Sequence, residues 1–150
     1  MSIFLRFILL VLIALIPIII STSCSPEDDV EEIFMGKTFY ISGATINGKS
    51  LNEEVKILYE NLDSYYITFY DGTFKGRLDK DCLIAGRWTA NGKKRTITLK
   101  IDTFDNITGS ILSANLYQIF SQAKTYSGDA NILTIKADEQ NYIRLRTTKK

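Results

Sequence analysis

The side chains able to do chemistry are few. In 150 residues there is no histidine. That removes the commonest general base, the Ser-His and Cys-His nucleophile pairs, and every histidine-containing zinc site. Two cysteines remain, Cys24 and Cys82. Asp79 and Asp81 are two apart, so on a regular strand they share a face. A glycosidase pair needs carboxyls about 5–5.5 Å or 6.5–9.5 Å apart, and an Asp-Lys-Asp link reads first as a polar loop. Asp102, Asp105 and Asn106 offer oxygens to calcium but lack the ordered Asp-x-Asp-x-Asp-Gly spacing of a known loop. Tyr65, Tyr66, Tyr70 and Tyr142 suit a groove for sugar or peptide, and suit a sheet equally well. The expectation is a non-enzyme with no catalytic residue, no metal site and no cofactor.

The elements that would position these residues centre on residues 65–101. Tyr65, Ile67 and Phe69 alternate with Tyr66, Thr68 and Tyr70, the period of a strand. Asp71-Gly72 then favours a tight hairpin. Beyond it Phe74, Gly76 and Leu78 alternate with Thr73, Lys75 and Arg77, the pattern of an antiparallel sheet with one wet face. Asn91-Gly92 is a second turn signal, joining a strand that ends near Trp88 to Thr96-Ile97-Thr98-Leu99-Lys100-Ile101. Trp88, the one tryptophan, reads as a core anchor, with ligand stacking as the alternative.

The front of the chain carries an address. Residues 1–6 hold one positive charge, Arg6, and residues 7–20 are apolar apart from Pro17. The run is shorter than the roughly 20 apolar residues that a bilayer-spanning helix needs. A charged start, a short apolar run and small residues fit a secretory signal; the alternative is an uncleaved anchor. The run ends Ser21-Thr22-Ser23-Cys24-Ser25, and here the chain resembles bacterial lipoproteins. In that family a small residue precedes a cysteine that receives diacylglycerol before the signal is cut. The resemblance implies lipidation of Cys24 and a membrane partner held through that anchor. Ser25, where a retained lipoprotein commonly has aspartate, favours the outer membrane of a Gram-negative cell. The acidic run Glu27, Asp28, Asp29, Glu31 and Glu32 reads as a solvated tether, or as a signal for display at the cell surface rather than the periplasmic face. An ordinary secreted protein is the alternative to a lipoprotein. The expected organisation is a signal peptide over 1–23, a lipidated acidic tether over 24–35 and one β domain over 36–150.

Within that domain residues 36–41 open as a strand, with Phe39 and Ile41 on one face, and Asn47-Gly48 turns the chain. In 51–62, Leu51, Val55, Leu58 and Leu62 have helical spacing. Residues 102–109 read as a loop. After Ser110 a helical stripe of Leu112, Leu116, Ile119, Phe120 and Ala123 leaves Ser113, Gln118 and Gln122 off it, and predicts a helix covering one end of the sheet. Residues 131–137 and 142–146 alternate as two closing strands. The chain is long enough to bury about two-thirds of its unfolded surface without disulfide or metal. Its basic residues are spread along strands with no aromatic-interleaved RNA motif, so nucleic acid is not an expected partner. Cys82, unpaired once Cys24 is acylated, reads as a buried, inert thiol.

This order resembles the META domain family, small mostly-β modules of bacterial lipoproteins and secreted proteins, and also a neighbouring lipocalin-like lipoprotein family. Phe74-Lys75-Gly76, Gly86-Arg87-Trp88 and Leu133-Thr134-Ile135 fit the META pattern over roughly residues 36–146; Asp81 and Cys82 depart from its Cys-Asn pair. The resemblance implies a mostly β (β-rich α+β) fold: a small antiparallel β-barrel or sandwich with one or two short helices. It brings no established catalytic site. The expected function is a lipid-anchored envelope protein acting as a non-catalytic binding or accessory module. A lipocalin-like carrier is the alternative, with a small apolar ligand lined by Phe69, Phe74, Leu78 and Trp88; a carboxylate-dependent hydrolase is the weakest reading.

Overall fold

The computed structural model describes residues 28–51, 65–105 and 110–147. Among them the chain forms α1 (Asp28–Phe34), β1 (Thr38–Ile46), β2 (Lys49–Ser50), β3 (Tyr66–Phe69), β4 (Thr73–Arg77), β5 (Leu83–Asn91), β6 (Thr96–Asp105), α2 (Ile111–Ser121), β7 (Thr125–Gly128), β8 (Ile132–Lys136) and β9 (Tyr142–Arg146). All pairings are antiparallel, in the order β1-β3-β4-β5-β6-β7-β8-β9, and β9 returns to β1. The sheet is therefore a closed eight-stranded barrel, not a sandwich, and β2 is a two-residue flap on β1. The hairpins between β3 and β4, β5 and β6, and β7 and β8 turn at one end; those between β4 and β5 and between β8 and β9 turn at the other, beside the β1–β2 turn.

The turns follow from residue type. Asn47 and Gly48 both take positive φ, 50° and 75°, as a two-residue turn that matches strand twist requires. Gly72 takes φ 62°, and Tyr70 N–H donates across that hairpin to Thr73 O at 2.8 Å. Two glycines serve close approach instead. A Cβ on Gly86 would collide with the Lys100 carbonyl, and one on Gly76 would lie 2.7 Å from Tyr66 O. Gly86 sits where the β5–β6 register shifts beside Ala85, so the Phe-x-Gly and Gly-x-Trp motifs are packing devices.

Inward positions are filled. Phe39, Ile41, Ile67, Phe69, Phe74, Leu78, Ile97, Leu133, Ile135, Ile143 and Leu145 are all buried. The β6–β7 seam is short, a single register pair Thr96↔Thr125. Where the two strands part, α2 packs on β6 and β9 and inserts Leu116, Ile119 and Phe120 into the core.

Four expectations need correction. The acidic tether does not reach residue 35. Residues 28–34 are helical, and Ile33 and Phe34 are buried. The Phe34 ring lies 5.0 Å from Phe69, 5.1 Å from Trp88 and 5.0 Å from Tyr126, so α1 plugs one barrel end, and apolar residues behind an acidic run joined the fold. Residues 102–105 are not loop. They continue β6 because β5 starts early enough to pair with them, Leu83↔Asp105 and Ala85↔Thr103, and β5 itself runs on past Trp88 to Asn91. Ser113 is not off the buried stripe. It is buried because it closes a capping box with Ser110: its Oγ accepts from Ser110 N–H, and its N–H donates to Ser110 Oγ. The fourth correction is an addition: strand β7, a Thr-Tyr-Ser-Gly stretch, has no signal in the sequence, because its one inward side chain, Tyr126, gives no visible alternation. The helical spacing of 51–62 falls on residues outside those described beyond Leu51.

If Phe34 plugs the barrel, Phe34→Ala should lower the unfolding free energy by about 3–5 kcal/mol, measured by denaturant titration. A loss below about 1 kcal/mol, the size of an ordinary surface change, would return residues 28–34 to the tether.

Candidate functional site

The residues expected to line a ligand cavity line the core instead. Phe69, Phe74, Leu78 and Trp88 are all buried. Phe69 lies 6.4 Å from Phe74 and 5.3 Å from Trp88, ring to ring. Trp88 Nε1–H donates to Tyr70 O at 2.8 Å, which satisfies the indole and fixes it against the first hairpin. None of the four lines the outer hollow at β3 to β6.

That hollow lies on the outside of the barrel. It measures about 390 Å³ and crosses β3, β4, β5 and β6 near the α2 end. Register builds it. Tyr66 pairs Arg77, Arg77 pairs Leu83, and Leu83 pairs Asp105, one outward row over four strands. The next row is Thr68, Lys75, Ala85 and Thr103. Small Ala85 makes the floor. The larger Tyr66, Lys75, Arg77 and Leu83 rise around it, and the register shift beside Ala85 bends the sheet there. Leu83 is 43 % exposed and Phe104, at the lip, 57 %, so the hollow joins cations on β4 to apolar surface on β5 and β6. Sequence reasoning saw the outward faces of β4. It missed the hollow because no single strand shows cross-strand register, and because the wall from Thr103 to Asp105 read as loop.

The remaining candidates have structural partners. Asp102 holds Arg87 in a two-pronged pair, Nε to Oδ2 at 2.8 Å and Nη2 to Oδ1 at 3.0 Å; the Arg87 hydrogen bond lowers the Asp102 carboxyl below its ordinary range. Asp105 is exposed, and Asn106 lies outside the described residues. No group of three or more His, Cys, Asp or Glu that could hold a metal forms among the described residues. Asp79 and Asp81 are not on a strand. They lie in the β4–β5 turn, closed by Leu78 N–H to Cys82 O at 2.8 Å. Asp79 Oδ1 accepts from Lys80 N–H at 2.6 Å and from the Tyr65 hydroxyl at 3.3 Å, while Asp81 is exposed. Tyr70 is exposed, and Tyr142 is half-buried with Arg144 over its ring at 5.5 Å. Cys82 is a buried free thiol, and Cys24 lies outside the described residues. No described helix is long and apolar enough to cross a membrane.

Tyr65 and Cys82 surround Asp79 in that turn. Burial, then the Asp79 carboxylate, pushes the Tyr65 phenol up to about 12 from an ordinary 10.0. Burial, then Asp79 and Asp105, raises the Cys82 thiol. Raised acids keep their full stabilising effect below the unfolded value and lose it as pH climbs toward the folded one. Folding stability should therefore fall between pH 10 and 12, and Tyr65→Phe should flatten part of that fall; Tyr126, also raised by burial, supplies more. Denaturation midpoints across this range check the sign, and identical slopes for the two proteins would contradict it. A thiol reagent at pH 8 should leave Cys82 unmodified in the folded protein and react fully once denaturant is added.

A family model described as "Domain of unknown function (DUF4847)" matches residues 25–147. Among solved structures, the crystal structure of a DUF4847 family protein from Bacteroides vulgatus ATCC 8482 is similar. It shares 23 % sequence identity at a TM-score of 0.67, over 81 % of this chain and 99 % of that one. At that identity the likeness speaks for the barrel fold alone. Comparison with curated proteins finds no match. The META and lipocalin resemblances gain no support from these matches. With the family model spanning residues 25–147, the chain belongs to the DUF4847 family.

Proposed function

We propose that this protein is a lipid-anchored outer-membrane module that binds a partner without catalysis, and that its binding surface is the outer hollow over Ala85. The observation that carries the reading is the hollow itself. Its volume of about 390 Å³ falls in the range of small-ligand sites, about 300–1,000 Å³. Its two cations, Lys75 and Arg77, against one carboxylate, Asp105, and its apolar side, Leu83 and Phe104, suit a ligand with an anionic group and an apolar body. The carrier reading asks for a ligand inside the barrel, where Phe69, Phe74, Leu78 and Trp88 pack on one another.

The anchor is the second part. The sequence from Ser21 to Ser25 supports acylation of Cys24, which would stay at a bilayer with two or more acyl chains and only marginally with one. The chain enters the barrel at the α1 end, whereas the row Tyr66, Arg77, Leu83 and Asp105 lies toward the other end. A bilayer-tethered protein would thus present the hollow away from the lipid.

Two experiments test this. Cys24→Ala should move the protein from the membrane to the soluble fraction and abolish labelling by a radioactive fatty acid; continued membrane association would contradict the anchor. A benzophenone amino acid placed at Ala85 should crosslink in cells to a discrete partner, while one at Thr134, on the far wall, should not. Equal products from both positions, or none from Ala85, would contradict the hollow as the binding surface.

A further inference from the structure

Helix α1 is made of residues that do not hold a helix by themselves. Its 7 residues are too few for a helix to persist alone in water. Asp28, Asp29, Glu31 and Glu32 lie three and four apart along it, a spacing at which like charges repel. Its docking rests on Val30, Ile33 and Phe34. Ile33 and Phe34 are buried, and Val30 packs half-buried against the core. Phe34 fills a cup of Phe69, Trp88 and Tyr126, at 5.0, 5.1 and 5.0 Å between ring centroids.

Arg95, on the β5–β6 turn, answers the carboxylates. Its guanidinium lies over the Tyr126 ring, 5.4 Å from the centroid, and Nη2 reaches Asp29 Oδ2 at 3.6 Å. The two side chains stay 44 % and 36 % exposed, so the pair is a light hold. Arg95 makes it from φ 53°, a left-handed backbone that disfavours any residue with a Cβ. Strain of this kind clusters at clamps and switches, and here it sets the guanidinium between Tyr126 and α1. Beside this contact α1 does not seat flush. A cleft of about 190 Å³ runs between Glu32 and Ile33 on one side and Gly128, Asp129 and Ala130 of the β7–β8 turn on the other.

The link from α1 to the sheet is short. Gly36 takes φ 68°. Its N–H donates to Phe69 O and Phe69 N–H donates to Lys37 O, both at 3.0 Å, and β1 joins the ladder at Thr38. We propose that α1 is a latched plug: it swings out at Met35 and Gly36 while the barrel stays folded, uncovering the aromatic cup, and the Asp29–Arg95 pair holds it shut. The sealed barrel end is then a resting state with an open counterpart. This device is independent of the outer hollow and of the Cys24 anchor.

The test is amide hydrogen exchange of the full-length protein in detergent, with rates corrected for local sequence. Met35, Gly36 and Lys37 report on the plug, since their N–H groups donate to Glu31 O, Phe69 O and Phe34 O. Ile41 and Leu78, which donate to Tyr65 O and Cys82 O, report on the barrel. The three plug amides should share one protection factor, at least about tenfold below those of Ile41 and Leu78. Asp29→Asn and Arg95→Gln should each raise the plug rates, relative to Ile41, by about twofold to fivefold. The double variant should go no further than the stronger single one. Plug amides within tenfold of Ile41 and Leu78 would make α1 part of the global unfolding unit. Protection that falls stepwise from Lys37 back to Met35 would mean an ordinary frayed end. Relative rates unchanged in either single variant, or additive in the double one, would remove the latch. Each of these results overturns the proposal.

Discussion

An eight-stranded barrel is just wide enough either to be filled by its own inward side chains or to hold one small ligand, and the side chains that take that space shape the rest of this protein. Here the inward positions carry large residues on nearly every strand, with Phe39, Phe69, Phe74 and Trp88 among them. Strands so loaded close only if something small relieves the crowding. Gly76 and Gly86 do so where neighbouring strands approach too closely for a Cβ. The two open ends are then sealed from outside the sheet, by Phe34 of α1 at one and by Leu116, Ile119 and Phe120 of α2 at the other. Closely packed interiors of this kind have few voids larger than a water molecule.

With the inward positions taken by large buried side chains, the proposed binding surface lies outside the barrel. The hollows on that outer surface are built by register and by turns. The hollow over Ala85 depends on four strands placing Tyr66, Arg77, Leu83 and Asp105 in one row. A smaller cleft is built where α2 lies against the β1–β2 and β8–β9 turns, which Asn141 binds together. Both lie toward the α2 end, and the chain enters at the α1 end, where Arg95 also meets Asp29 at 3.6 Å. One end of the barrel thus holds the N-terminal entry and the other holds the candidate contacts. A rigid core between them suits such a division, since sites on strands and helices hold their geometry better than sites on loops.

Much of the barrel was legible in the sequence because its strands have one wet face. The alternation through Tyr65 to Leu78, through Thr96 to Ile101 and through the closing pair near Leu133 and Leu145 marked both strand and inward face. Asn47-Gly48 and Asp71-Gly72 marked turns through the φ values that they tolerate. Illegible parts share one cause: their structure is set by a distant partner. Thr103 to Asp105 extend β6 only because Leu83 to Ala85 are there to pair with them. Phe34 reads as the end of an acidic tether until three aromatic rings surround it. Ser113 looks polar and outward until its hydroxyl is seen to serve Ser110. Closure itself, β1 on β9, joins Ile41 to Leu145, and no local pattern announces a pairing so far apart in the chain. The hollow over Ala85 has the same character, since it is assembled from strands that meet only once the sheet has formed.

The central claim is that the barrel has no room inside. Xenon enters apolar cavities that water leaves empty, so a xenon-pressure titration followed through the methyl and ring signals of Phe69, Phe74, Leu78 and Leu133 addresses it directly. A filled interior predicts only small shifts that grow linearly with pressure. Saturable shifts centred on those residues would reveal an internal cavity and contradict the account.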